Sequence, residues 1–194
     1  MPSFEQLNTW QANDWDDLSR IWRDLVGTDA VVDYKPIFAG EEITLQQAGY
    51  VFQTWILEGF RISGVVPDPP FAVSIDPGVN DRTRRQLDGM IEFDCKYYLI
   101  ESKFSKEDFS SVANLHLHVE SRPVGTLGLI FAAKGFTTPA IESAFILRPI
   151  RVLLFNNKDL EYALTSRDFL KALRLKLKYV TKYGIASFDI SDPN

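Results

Sequence analysis

Asp88, Glu101 and Lys103 are the residues whose types and spacing suggest chemistry. Residues 86–93 and 97–104 are strand-forming runs separated by Asp94, Cys95 and Lys96, a pattern that predicts a β-hairpin. Residues two apart on a strand point to the same face, so Glu101 and Lys103 project together, and the hairpin can bring Asp88 opposite them. Carboxylates with open coordination positions suit Mg²⁺, a hard ion that keeps several waters. A neighbouring ammonium can orient a water and offset charge on a phosphate, so the three together are a minimal set for metal-assisted phosphodiester hydrolysis. The same triplet can be an ordinary cross-strand ion pair on a surface. Its flanks argue otherwise. Leu99 and Ile100 lead into Glu101 and the later strands are apolar, which places the charges on a buried strand where unpaired charge is costly.

The elements that must hold these residues follow from the hydrophobic period. Residues 14–26 read as an amphipathic helix with Trp15, Leu18, Trp22, Leu25 and Val26 on one face and Gly27 as the stop. Residues 44–59 read as a second helix, and 64–80, rich in proline and glycine, as a loop or irregular edge. After the hairpin come a helix over 110–121, a buried strand over 125–133 and a helix opening at Thr138-Pro139. A buried strand over 150–155 and helices over 159–164 and 166–183 complete the chain. A hairpin followed by β-α-β units predicts an α/β fold, a central mixed sheet flanked by helices. The expected division is an N-terminal helical extension over residues 1–40 and a main domain over 41–194.

Composition narrows the class. The 194 residues are 45% hydrophobic with a net charge of −5, enough chain for a core without disulfide or metal staples. One cysteine, Cys95, excludes an internal disulfide and a multi-cysteine zinc site, and the two histidines leave little room for a histidine-rich metal site. No apolar run predicts a membrane span, the first residues do not read as a signal peptide, and the cytoplasm is the default expectation. Ten of the 26 acids but only three of the 21 bases fall in residues 1–60, leaving that stretch at −7 and the rest at +2. A polyanion-binding face is therefore expected in the later part of the chain.

Arg85-Gln86-Leu87-Asp88-Gly89-Met90-Ile91 followed by Tyr98-Leu99-Ile100-Glu101-Ser102-Lys103 resembles the signature of the PD-(D/E)xK nuclease superfamily. Val124–Phe131 and then Lys134-Gly135-Phe136-Thr137-Thr138-Pro139-Ala140-Ile141 are similar to its Mrr-like restriction endonuclease branch. The resemblance covers roughly residues 44–164. It implies a restriction-endonuclease-like core and a metal-dependent DNA endonuclease of restriction, defence or repair. Asp88 and Glu101 would be ligands of Mg²⁺ (or Mn²⁺), with the Ser102 carbonyl as a further ligand and Lys103 acting on the attacking water or the transition state. Many members carry a glutamate on the preceding helix in a G-x-x-x-E pattern. Here Gly49 is followed four residues on by Gln53, with Glu58 a weaker substitute off that helical face. The Gln53 departure keeps an alternative in play, a catalytically inactive nuclease-fold module that binds DNA or a partner protein.

Arg167, Lys171, Arg174, Lys178 and Lys182 form a stripe on the last helix, a candidate face for DNA phosphates or else a solvated surface. Arg84 and Arg85 precede the Asp88 strand and are further candidates for DNA contact. His116 and His118 are two apart and cannot share a helical face, so at most one is expected at the site. A homodimer would suit double-strand cleavage, and the acidic N-terminal lobe is a candidate surface for a protein partner.

Overall fold

The computed structural model of the chain describes residues 2–27, 34–73 and 85–192. Four helices and a hairpin surround the first half: α1 (Phe4–Thr9), α2 (Trp15–Val26), β1 (Ile37–Phe38), β2 (Glu41–Glu42) and α3 (Leu45–Ile62) precede the sheet, and α4 (Phe109–Glu120) follows its hairpin. The remaining elements are β3 (Phe71–Val73), β4 (Arg85–Leu87), β5 (Gly89–Phe93), β6 (Lys96–Lys103), β7 (Leu127–Ala132), α5 (Thr138–Ile146), β8 (Val152–Phe155), α6 (Asn157–Thr165) and α7 (Phe169–Tyr183). The central sheet has the order β5-β6-β7-β8. β5 and β6 are antiparallel, whereas β6–β7 and β7–β8 are parallel. This is a mixed α/β sheet flanked by helices on both faces.

Strand alternation builds the two faces. Tyr98, Ile100, Leu129, Phe131, Leu153 and Phe155 join α3, α7 and the N-terminal helices in the larger core. Leu99, Ile130, Val152 and Leu154 point the other way, against Val112, Leu115 and Val119 of α4 and Ala140 and Ala144 of α5. The N-terminal helices share the larger core. Trp22 stacks on Trp55 at 4.9 Å, and the Trp55 indole N–H donates to the Leu18 carbonyl at 2.9 Å.

Expected and observed elements differ where side chains intervene. α1, the β1–β2 hairpin and β3 carry no periodic signal because they are so short. The run 86–93 is interrupted at Asp88: β4 pairs with β3, and β5 pairs with β6. The cap of α5 is Thr137, one residue earlier than expected, with Pro139 in the first turn. α7 begins at Phe169 because Asp168 caps it, accepting from the Lys171 N–H at 2.8 Å, and Arg167 before it has a positive φ of 51°. Among the described residues no helix is long and apolar enough to cross a membrane.

Candidate active site

Asp88 sits at the break between β4 and β5. Its N–H donates to the Ile100 carbonyl at 3.0 Å, which holds the backbone beside β6, while its side chain leaves the ladder. Gly89 makes the break possible. A Cβ there would lie 2.9 Å from the Asp68 carbonyl and 2.7 Å from Leu57, at a φ of 159°. The Asp88 Oδ2 accepts from the Ser102 N–H at 2.7 Å and the Ser102 hydroxyl at 2.8 Å. Among the described residues no donor reaches Oδ1.

Glu101 and Lys103 share a face of β6, as their spacing predicts, and meet as an ion pair with Nζ 2.5 Å from Oε1. Burial pushes the Glu101 carboxyl up to about 7, and the Asp88 charge pushes the same way against the pull of Lys103. Burial also raises Asp88, despite the opposing Ser102 hydrogen bonds and Lys103. Burial alone would lower Lys103, but Glu101, Asp88 and Glu107 outweigh it, so the ammonium is held in its charged form.

Two hollows meet at Lys103. The larger, a cleft of about 610 Å³, is floored by Asp88, Ser102 and Lys103. One wall is the α3 stripe Gln46, Gly49, Tyr50 and Gln53, spaced i, i+3, i+4 and i+7 on one helical face. The lining also includes Lys106 and Lys134, from the loops that follow β6 and β7. The smaller hollow, about 290 Å³ on the α4 side, is lined by Glu101, Lys103, Ser111, Asn114 and His118. Asp88 and Glu101 thus reach the end of β6 from opposite faces, with Lys103 between them.

Gln53 is buried in the cleft wall. Glu58 is elsewhere. It accepts from the Ala12 N–H at 2.8 Å and from Arg61 at 2.7 Å, and fastens α3 to the α1–α2 connection. Of the histidines, His118 reaches the smaller hollow, and His116 lies 3.9 Å from Glu120. Arg84 lies outside the described residues, and Arg85 is placed only as the first residue of β4. Lys171, Arg174 and Lys178 do not line the cleft. Arg174 bonds Asp94 at 3.3 and 3.4 Å and covers the Phe93 ring at 4.5 Å. Asp94 lies at the hairpin tip, at the other end of eight-residue β6 and on the order of 25 Å from Lys103.

Sequence reasoning missed Lys106, Lys134 and the buried carboxylate Glu107. Their shared signal is position. All follow the carboxyl ends of neighbouring parallel strands, where open α/β sheets place ligands.

The donor set suits a hard divalent cation. Among the described residues no donor takes the second Asp88 oxygen, and both carboxylates are raised by burial, a cost that a cation would offset. The Ile100 carbonyl faces β5, and strand geometry turns the Ser102 carbonyl to the same edge. Among the described residues no three acidic, histidine or cysteine side chains converge as a metal cage, so backbone and water would complete the coordination.

No known sequence family matches the chain, and no curated protein does. Solved structures do. The protein VC1899 from Vibrio cholerae aligns with a TM-score of 0.51 and 15% identity over 88% of this chain and 46% of that one. The likeness is one of fold, and the chain spans less than half the length of the Vibrio protein. A repair endonuclease from Pyrococcus abyssi aligns with a TM-score of 0.39 and 19% identity, over 61% of this chain and 50% of that one. The MspJI restriction endonuclease, solved with a 27-mer oligonucleotide, aligns with a TM-score of 0.39 and 15% identity, over 97% of this chain and 40% of that one.

Proposed function

We propose that the chain is a metal-dependent DNA endonuclease of the PD-(D/E)xK type, in its Mrr-like branch. One observation carries the reading: at the carboxyl end of central strand β6, Ser102 fastens the Asp88 carboxylate beside Lys103, which pairs with Glu101. Asp88 and Glu101 would hold Mg²⁺ or Mn²⁺, with the Ser102 carbonyl as a further donor. When bound, the ion supplies Lewis-acid charge against the phosphodiester and activation of water.

The protein's own groups do the positioning. Ser102 fixes the Asp88 carboxylate through two hydrogen bonds to one oxygen, and among the described residues the second oxygen has no donor. Lys103 stays an ammonium beside Glu101, so it serves as a hydrogen-bond donor and local positive charge rather than as a base. It orients the attacking water and stabilises charge on the phosphate. The Gln53 amide offers a donor and an acceptor to the same cleft but no charge.

The test is incubation of the protein with supercoiled plasmid and with single-stranded DNA, plus Mg²⁺ or Mn²⁺, beside Asp88→Ala and Lys103→Ala. Metal-dependent cleavage lost in both variants is the expected result. Absence of cleavage with retained, salt-sensitive DNA binding would replace this reading with a binding module, which the amide at Gln53 favours.

A further inference from the structure

Beside Lys103, the cations among the described residues that line the cleft are Lys106 and Lys134. The chain carries 26 acids against 21 bases, and most described arginines and several lysines find a carboxylate. Arg20 pairs with Asp17, Lys35 with Glu42, Arg61 with Glu58, Arg151 with Glu120 and Arg167 with Asp16. Among the described residues neither Lys106 nor Lys134 has such a partner, although both line the cleft that Asp88 floors. The Lys134 ammonium lies over the Phe104 ring, 5.6 Å from its centroid.

The two lysines come from different loops, yet one residue ties those loops together. The Glu107 N–H donates to the Gly135 carbonyl at 2.9 Å, and the Thr137 N–H donates to the Glu107 carbonyl at 2.8 Å. The buried Glu107 carboxylate accepts from the Ser105 hydroxyl at 2.7 Å and from the Ser111 hydroxyl of α4. Lys106 is therefore flanked by two fixed residues, and Lys134 directly precedes Gly135 in the same bridge. The strands beneath are already in register, with Lys103 opposite Ala132. Lys106 and Lys134 are exposed, and the loop backbone that carries them is held, so two ammonium groups on flexible stems are available to an anion at the cleft.

We propose that Lys106 and Lys134 form a non-catalytic subsite for a backbone phosphate next to the scissile one, on one strand of a polynucleotide crossing the cleft. The inference rests on the nuclease reading of Asp88, Glu101 and Lys103 for its register, but not for its charge. Both lysines line the same cleft as Lys103 and the neutral α3 residues Gln46, Tyr50 and Gln53, so a strand crossing it meets cations for its backbone and amides for its bases.

Binding and cleavage separate this inference from the nuclease reading. Binding of a fluorescent single-stranded oligonucleotide is measured by anisotropy in EDTA, where metal and catalysis play no part, over a range of salt. Lys106→Ala/Lys134→Ala should bind at least tenfold more weakly. The slope of log K against log salt should fall by about 1.4, as expected for two lost single-strand phosphate contacts. Lys106→Arg/Lys134→Arg should keep both affinity and slope. If the protein cleaves, the alanine pair should raise KM for an oligonucleotide yet leave cleavage of bis(p-nitrophenyl) phosphate, which has no neighbouring phosphate, unchanged. An unaltered salt slope in the alanine pair overturns the subsite, as does loss of binding through Lys171→Ala/Lys178→Ala on α7 instead. Oligonucleotides of DNA and of RNA in parallel show which polymer the subsite prefers.

Discussion

The Asp88 carboxylate takes both the N–H and the hydroxyl of Ser102 on a single oxygen, at 2.7 and 2.8 Å. A buried carboxylate whose charge is disfavoured is thereby held at the end of β6, with no donor among the described residues on its other oxygen. The geometry sacrifices stability for a site, and it predicts a trade-off. Asp88→Asn keeps an acceptor for Ser102 and removes the repulsion with Glu101. In EDTA its melting temperature should rise by a few degrees, as removal of about 1 kcal/mol of repulsion implies for a domain of this size. Metal-dependent cleavage should be abolished. A lower melting temperature would mean that the Asp88 charge is already compensated.

Glu101 sets a pH dependence. Its carboxyl is raised to about 7 from an ordinary 4.5, by burial first and the Asp88 charge second. The folded value lies above the unfolded one, so this group's contribution to stability is complete below about pH 4.5 and lost as pH rises through 7. Cation binding has the opposite sign, because the ligand must be ionised. Mn²⁺ affinity, measured by calorimetry, should fall about tenfold between pH 8 and pH 6, with proton release on binding at pH 6. A flat affinity would remove Glu101 from the ligand set.

Gln53→Glu tests the helix position. A third carboxylate in the cleft repels Asp88, so the metal-free variant should melt lower, by an amount set by about 1–2 kcal/mol. Mn²⁺ should restore it and should bind more tightly than to the parent protein. No change in metal affinity would place Gln53 outside the coordination sphere.

Gly89→Ala addresses the break in the first strand. The new Cβ meets the Asp68 carbonyl, a backbone atom that cannot swing away, as well as Leu57. Urea unfolding should show a loss of about 1–3 kcal/mol, and any cleavage should fall because Asp88 moves with Gly89. Unaltered stability would mean that the β5 edge shifts freely.

Lys176 and Asp159 form an ion pair at 2.7 Å with both side chains fully buried, away from the cleft. Asp159 also accepts from the Ile190 N–H at 3.0 Å, and Lys176 donates to the Phe188 carbonyl, so the pair pins residues 188–190 to α6 and α7. Lys176→Met strands a buried carboxylate and should cost about 3–5 kcal/mol in urea unfolding. The double variant Lys176→Met/Asp159→Asn should recover much of that, and failure to recover would show that the hydrogen bonds outweigh the charges.

Much of this architecture is local, and local features are what a sequence carries. The helices α2 and α3, the hairpin turn at Asp94 and Cys95, and the buried strands β7 and β8 follow from hydrophobic period, caps and turn residues. The pairing of Glu101 with Lys103 needs only the two-residue repeat of a strand, and the choice of Gln53 over Glu58 needs only the helical repeat. What required the tertiary structure depends on contacts between distant segments. The break at Asp88 comes from β3 and the Asp68 backbone, which no period in residues 86–93 records. The stripe on α7 is legible as a row of cations, but its partners Asp16 and Asp94 lie far away in the chain. Lys106 and Lys134 look like loop lysines until the parallel register of β6 and β7 brings both to one cleft and Glu107 ties their loops together. Periodicity reports how a segment faces its own core, whereas charge pairing and cleft lining depend on which loops the sheet brings together.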